Sequence, residues 1–225
     1  QASRKNLLFT DMDGTLLLND STISDRMRDA LKRMTDAGHH LILSSGRPLP
    51  SILEVREKER ICFPNMLIMS NNGALVYDCD HRKAILECRV SQEDTAYIIR
   101  QAESRGLHIH GYTATEIVCH GMNAELAFYT SRIHMPLKCV DDIAAALPQG
   151  SFKLQCIHLT DKSMLEAFRE SLLEYCGDRI QMIFSNEQYL EILPAQAGKG
   201  NALRFIADFL HAPLSHTFAA GDAEN

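Results

Sequence analysis

Asp11 and Asp13 stand two residues apart, directly after the apolar run Leu7-Leu8-Phe9 and directly before Gly14. Two carboxylates held that close repel each other unless one is protonated or a cation lies between them. Oxygen-only donors with no His or Cys nearby favour Mg2+. The chain has 29 acids in 225 residues, so roughly four such pairs arise by chance, and the spacing alone describes a solvated turn. Three further positions give it meaning. Asp222 follows Gly221 after another apolar run and would complete an acidic metal site, although Gly-Asp is also a common turn dipeptide. Ser45-Gly46 offers a hydroxyl and backbone N–H groups ahead of a helix, which suits either a phosphate cradle or helix capping. Lys199 stands near a helix start, where a cation opposes the helix dipole. A solvated surface Lys is the default there, and a Lys aimed into a phosphate site explains the placement better.

These residues need strands to carry them. A short apolar run ending abruptly in acids and Gly reads as a buried strand followed by a loop. Leu7–Phe9, Leu41–Leu43, Leu67–Met69 and Thr217–Ala220 all fit, the third being followed by Asn71-Asn72-Gly73. Between the first two lies a helix capped by Ser24, with Met27, Ala30, Leu31, Met34 and Ala37 on one face and Gly38 as its stop. Pro48 suits the first position of a second helix, and Gly198–Leu210 reads as another with Leu203, Ile206, Ala207 and Leu210 on one face. Strands alternating with helices imply a doubly wound parallel sheet, an α/β fold in which ligands bind at the carboxyl ends of the strands. The candidate residues all lie at such ends or at a helix start.

The stretch 81–189 changes character and reads as an inserted α+β domain, leaving 1–80 and 190–225 as the core domain. Strands are expected over 84–90, 107–112, 117–120 and 152–159, and helices over 91–101 and 161–175. A hairpin is expected from 180–184 and 189–193. The sequence ends in the loop after the last strand, where a sheet edge and its covering helix normally follow, so a truncated core is expected.

Bulk properties narrow the function. Net charge is −6, which argues against an extended nucleic-acid surface, since that needs clustered Lys and Arg. No apolar run reaches membrane-span length, so no membrane partner is expected. Seven cysteines at irregular spacing form no disulfide framework and read as reduced thiols in a cytoplasmic protein. His108 and His110 would share a strand face, but no further ligand has zinc-site spacing, so a packed or exposed strand pair is the better reading. Tyr112, Thr113 and Glu116 suit a substrate-facing surface or plain solvent equally. Arg47 reads either as a phosphate contact or as a tie to neighbouring acids, and stays outside the candidate list.

Asp11-Met12-Asp13-Gly14-Thr15-Leu16 resembles the signature of the haloacid dehalogenase superfamily. Ser45-Gly46-Arg47 resembles its second motif, Gly198-Lys199-Gly200 its third, and Gly221-Asp222-Ala223-Glu224-Asn225 its fourth. Asn72-Gly73-Ala74, and Glu191-Ile192 ahead of Lys199, resemble the Cof-type branch, whose large α/β (type IIB) cap lies between motifs two and three. The resemblance implies a Mg2+-dependent phosphatase acting on small phosphorylated metabolites. Asp11 would be the nucleophile that forms an aspartyl-phosphate, and Asp13 the general acid and then the base. Mg2+ would be held by the Asp11 carboxylate, the Asp13 backbone carbonyl and Asp222. Ser45, Gly46, Lys199 and Asn225 would bind the phosphoryl group. Two departures stand out: the fourth motif usually continues Asn-Asp where this sequence stops at Asn225, and Ser45 replaces a frequent Thr. A phosphomutase-like phosphotransferase and a non-catalytic sensor of a phosphorylated metabolite are the rival readings. A mere sensor needs no Asp13 acid. The resemblance implies sugar phosphates, pyridoxal phosphate or nucleotide-like monophosphates as substrates without choosing among them, and the oligomeric state is not legible.

Overall fold

In this computed structural model residues 5–222 are described, so Asn225 lies outside the described residues. The chain runs β1 (Leu7–Asp11), α1 (Asp25–Asp36), β2 (His40–Ser44), α2 (Leu49–Lys58), β3 (Met66–Ser70), β4 (Leu75–Asp78) and β5 (Lys83–Glu87). It continues α3 (Gln92–Ser104), β6 (His108–Tyr112), β7 (Ile117–Cys119), α4 (Ala124–Thr130), β8 (Leu137–Cys139), β9 (Leu154–Ile157), α5 (Lys162–Cys176), β10 (Ile180–Asn186) and β11 (Tyr189–Pro194). It ends with α6 (Lys199–Phe209) and β12 (Thr217–Ala220). Two compact units result, one reaching up to Glu87 and resuming at Ala197, the other spanning Cys88–Gln196.

The first unit holds a six-stranded sheet of order β12-β1-β2-β3-β4-β5. β12, β1, β2 and β3 are parallel, as strand–helix alternation demands, and β4 and β5 add an antiparallel edge. The strand expected at 84–90 is therefore β5, and it pairs with β4 in this sheet rather than with the inserted stretch. Alternation along β2 sends Ile42 into one apolar layer with Phe9, Leu67, Ala202 and Ile206, where α6 packs. Leu41 and Leu43 face the other way and are equally buried. Helix α1 begins where Ser24 Oγ accepts the Met27 N–H, and it turns Leu31 and Thr35 inward. Pro48 is the N-cap of α2 rather than its first helical residue.

The second unit holds a second six-stranded sheet, order β10-β11-β9-β6-β7-β8. One face is apolar: Ile109, Leu154, Cys156, Leu190 and Ile192 pack with Ile98 of α3 and Leu165 and Phe168 of α5. The other face carries His108, His110 and Tyr112 at alternate positions of β6, with Gln155 opposite His110 and Glu191 opposite Gln155. Among the described residues no helix is long and apolar enough to cross a membrane.

Candidate active site

β1 and β2 pair in register so that Asp11 lies opposite Ser44. Asp11 and Ser45 therefore leave the sheet side by side at its carboxyl edge. Lys199, the first residue of α6, reaches the same edge, and its Nζ donates to Asp11 Oδ1 at 2.6 Å. A Lys at a helix start faces the positive end of the helix dipole, and the Asp11 carboxylate offsets that cost. Both side chains are more than four-fifths covered, which strengthens their attraction relative to a fully solvated pair.

Close backbone approaches bring the remaining loops together. Gly14 has φ +78°, and a Cβ there would sit 2.5 Å from Asp222 Oδ2. Only glycine lets Asp222 come against the Asp11–Asp13 loop. Gly73 has φ +89°, and a Cβ there would meet Gly198 O at 2.6 Å, so the loop after β3 seats directly on the start of α6. The Asn72 N–H donates to Ser45 O at 3.1 Å, and the Asn72 side chain lies against Gly46. Asp11, Lys199, Gly221 and Asp222 line one cavity of about 300 Å³ together with Phe9, Met69 and Leu203.

Asp11, Lys199 and Asp222 are thus together, with Ser45 and Gly46 on the neighbouring loop. Asp13 is close to them in sequence, but its carboxylate is occupied: Arg47 Nε donates to Oδ2 at 2.8 Å and Nη2 to Oδ1 at 2.6 Å. The sequence left Arg47 between a phosphate contact and a tie to neighbouring acids, and the structure shows the tie, made across 34 positions to Asp13. Asn71 figured in the sequence only as part of the polar cluster after β3. Its N–H donates to Arg47 O at 3.0 Å, and its side chain is buried.

The metal question turns on the donors. The Asp11 and Asp222 carboxylates share the cavity, and Asp13, its side chain committed to Arg47, would contribute only its backbone carbonyl. No group of three or more His, Cys, Asp or Glu side chains among the described residues is placed to hold a metal. A sparse, all-oxygen set fits Mg2+, which keeps several waters, better than a metal that needs a full protein cage.

Other residues with chemical potential prove structural. Tyr112 is fully buried and bonded to His110 and Tyr129, and Thr113 Oγ1 accepts the Thr115 and Glu116 N–H groups within a turn. Burial pushes the Cys119 thiol up to about 11 and the Cys156 thiol up to about 12, far from the thiolate a nucleophile needs.

A parallel sheet with an aspartate and a lysine meeting at its carboxyl edge, and a second α+β unit inserted in the chain, describes an α/β protein with a polar ligand site at the strand ends. The family model of haloacid dehalogenase-like hydrolases matches residues 8–225, and the chain belongs to that family. The 5-amino-6-(5-phospho-D-ribitylamino)uracil phosphatase YwtE of Bacillus subtilis is 26% identical over 239 residues, covering 96% of this chain and 80% of that protein. A solved structure from Thermotoga maritima superposes with a TM-score of 0.86 at 26% identity, covering 98% of this chain and 81% of its own. A sugar phosphatase of the family's subclass IIB superposes with a TM-score of 0.75 at 15% identity, covering 96% and 80%.

Proposed function

We propose that this chain is a Mg2+-dependent phosphatase that hydrolyses small phosphomonoesters through an aspartyl-phosphate on Asp11. The observation that carries the reading is the Asp11–Lys199 pair at the sheet edge. It sets a carboxylate nucleophile beside a cation able to draw a phosphate dianion towards it.

In the first half-reaction an Asp11 oxygen bonds to phosphorus as the bond from phosphorus to the leaving oxygen breaks, and Asp13 gives that oxygen a proton. In the second, Asp13 takes a proton from water as the water oxygen attacks phosphorus, releasing inorganic phosphate and free Asp11. Lys199 and the Ser45 hydroxyl hold phosphoryl oxygens throughout. Ser45 Oγ already accepts the Arg47 N–H at 3.0 Å, which orients its own O–H as a donor. The Gly46 N–H and Asn225 complete the phosphoryl contacts in this proposal. Held by Asp11, the Asp13 carbonyl and Asp222, Mg2+ would supply Lewis-acid neutralisation of phosphoryl charge.

YwtE is named for an aminouracil that carries a phosphorylated ribityl chain, and the subclass IIB protein is named a sugar phosphatase; phosphate esters of small polyhydroxylated metabolites are the class proposed here. The test is phosphate release from p-nitrophenyl phosphate with and without Mg2+, for the wild type and for Asp11→Asn. Activity that requires both Mg2+ and Asp11 supports the proposal. Activity surviving in Asp11→Asn removes the nucleophile assignment.

A further inference from the structure

Asp13 is the exposed partner in its pair with Arg47. Its side chain is 54% accessible, whereas that of Arg47 is 18% accessible. Among the described residues, Arg47 is the one side chain that bonds the Asp13 carboxylate, and it does so through two nitrogens to two oxygens. Such a fork fixes both the position and the plane of a carboxylate, which a single ammonium cannot do. Arg47 is itself well anchored. Its N–H donates to Ser45 Oγ at 3.0 Å and its carbonyl accepts the Asn71 N–H at 3.0 Å. Ser45 and Asn71 are both buried. The guanidinium is therefore delivered from a fixed base to a carboxylate on a glycine-bearing loop.

We propose that Arg47 is the positioning residue for Asp13, holding its carboxylate in the direction from which it serves the leaving oxygen. The inference rests on the phosphatase reading above, in which Asp13 is the proton donor. It assigns Arg47 no contact with the phosphoryl group: its effect passes through Asp13.

The dependence on leaving group tests this. Departure of p-nitrophenolate needs little help from an acid, whereas departure of unsubstituted phenolate needs much. In Arg47→Ala, kcat/KM for phenyl phosphate is expected to fall about 10–100-fold, and that for p-nitrophenyl phosphate by less than about threefold, because only the first requires an aligned acid. Substrate affinity should be unchanged, and Arg47→Lys should recover only part of the loss. A variant lacking both Arg47 and Asp13 should be no worse on phenyl phosphate than Asp13→Asn alone, since the two act as one unit. Thermal unfolding of the Ala and Lys variants separates these effects from misfolding.

Equal losses on both esters with a raised KM would make Arg47 a phosphate-binding residue and overturn the proposal. Additive losses in the double variant would also overturn it, as would no loss at all. Failure of the parent reading looks different: the wild type releases no phosphate from either ester, or Asp11→Asn still does, and this inference then falls with it.

Discussion

The two units use the same kinds of residue in opposite ways. In the first, polar groups gather at the open carboxyl edge of a parallel sheet, where Asp11 meets Lys199 and Asp13 meets Arg47. In the second, polar groups are sunk into one face of a sheet and bonded to each other. Asn123 caps α4 with Oδ1, which turns its Nδ2 as donor towards His108 Nδ1 at 2.9 Å. His108 Nε2–H must then donate to His110 Nδ1, and His110 Nε2–H to the Tyr112 oxygen, each at 2.9 Å. Tyr112 donates in turn to Tyr129. Beside this chain Lys153, almost wholly buried, sits 3.5 Å from Glu191. The difference teaches that His, Tyr, Lys and Glu do not mark a reactive site by themselves. What sets the first unit apart is a carboxylate and a cation meeting where parallel strands end at their carboxyl edge.

That contrast can be broken at either end. The largest effect is expected in the first unit. Asp11→Asn should cut turnover by about 10³-fold or more and Lys199→Ala by about 10²–10³-fold, with melting temperatures little changed. Steady-state kinetics beside thermal unfolding checks both. In the second unit the sign reverses, because stability should suffer. Glu191→Gln removes the charge facing buried Lys153 and should cost about 3–5 kcal/mol, read as a lower midpoint in urea. His110→Phe should cost less, about 2 kcal/mol, by leaving the His108 Nε2–H without its acceptor and the Tyr112 oxygen without its donor.

A smaller effect concerns acid. Burial pushes His108 down to about 4 and lowers His110 as well. Below the ordinary histidine value near 6.5 the unfolded chain takes up protons that the native chain refuses, so stability should fall as pH drops from about 6.5 to about 4. His120 works against this. Its bond to Glu103 raises its value, so its contribution is present at low pH and is lost as pH rises through that raised value. Melting temperatures measured across this range should show the first trend, flattened in a variant with Gln at positions 108 and 110. An unchanged slope in that variant would mean the buried chain is not what acid attacks.

Much of the first unit was legible because β2 and β3 are buried along their whole length, β1 is mostly so, and each ends in punctuation. Leu41–Leu43 before Ser44-Ser45-Gly46 is such a case, and Ser24 announces α1 in the same way. The sheet membership of β5 was not legible. Lys83–Glu87 has a weak pattern, and periodicity cannot say which neighbour a strand will choose. The hydrogen-bonded chain on β6 was half legible: alternation put His108 and His110 on one face, yet polar alternation normally points to solvent. Burial of that face depends on partners such as Asn123 and Tyr129 that lie far along the chain. The Arg47–Asp13 fork was half legible too: a tie to acids was one of two readings of Arg47, but a partner 34 positions away leaves no local signal to choose it.

The Asp11–Lys199 contact joins residues 188 positions apart. A ribosome extending the chain by about 5–20 residues per second would deliver the lysine roughly 10–40 s after the aspartate. Throughout that interval the nascent polypeptide carries a carboxylate without the cation that would let it engage a phosphate dianion. On the proposed mechanism, competence for phosphoryl chemistry would arrive only once the whole second unit has been synthesised, and half-made chains would be chemically silent.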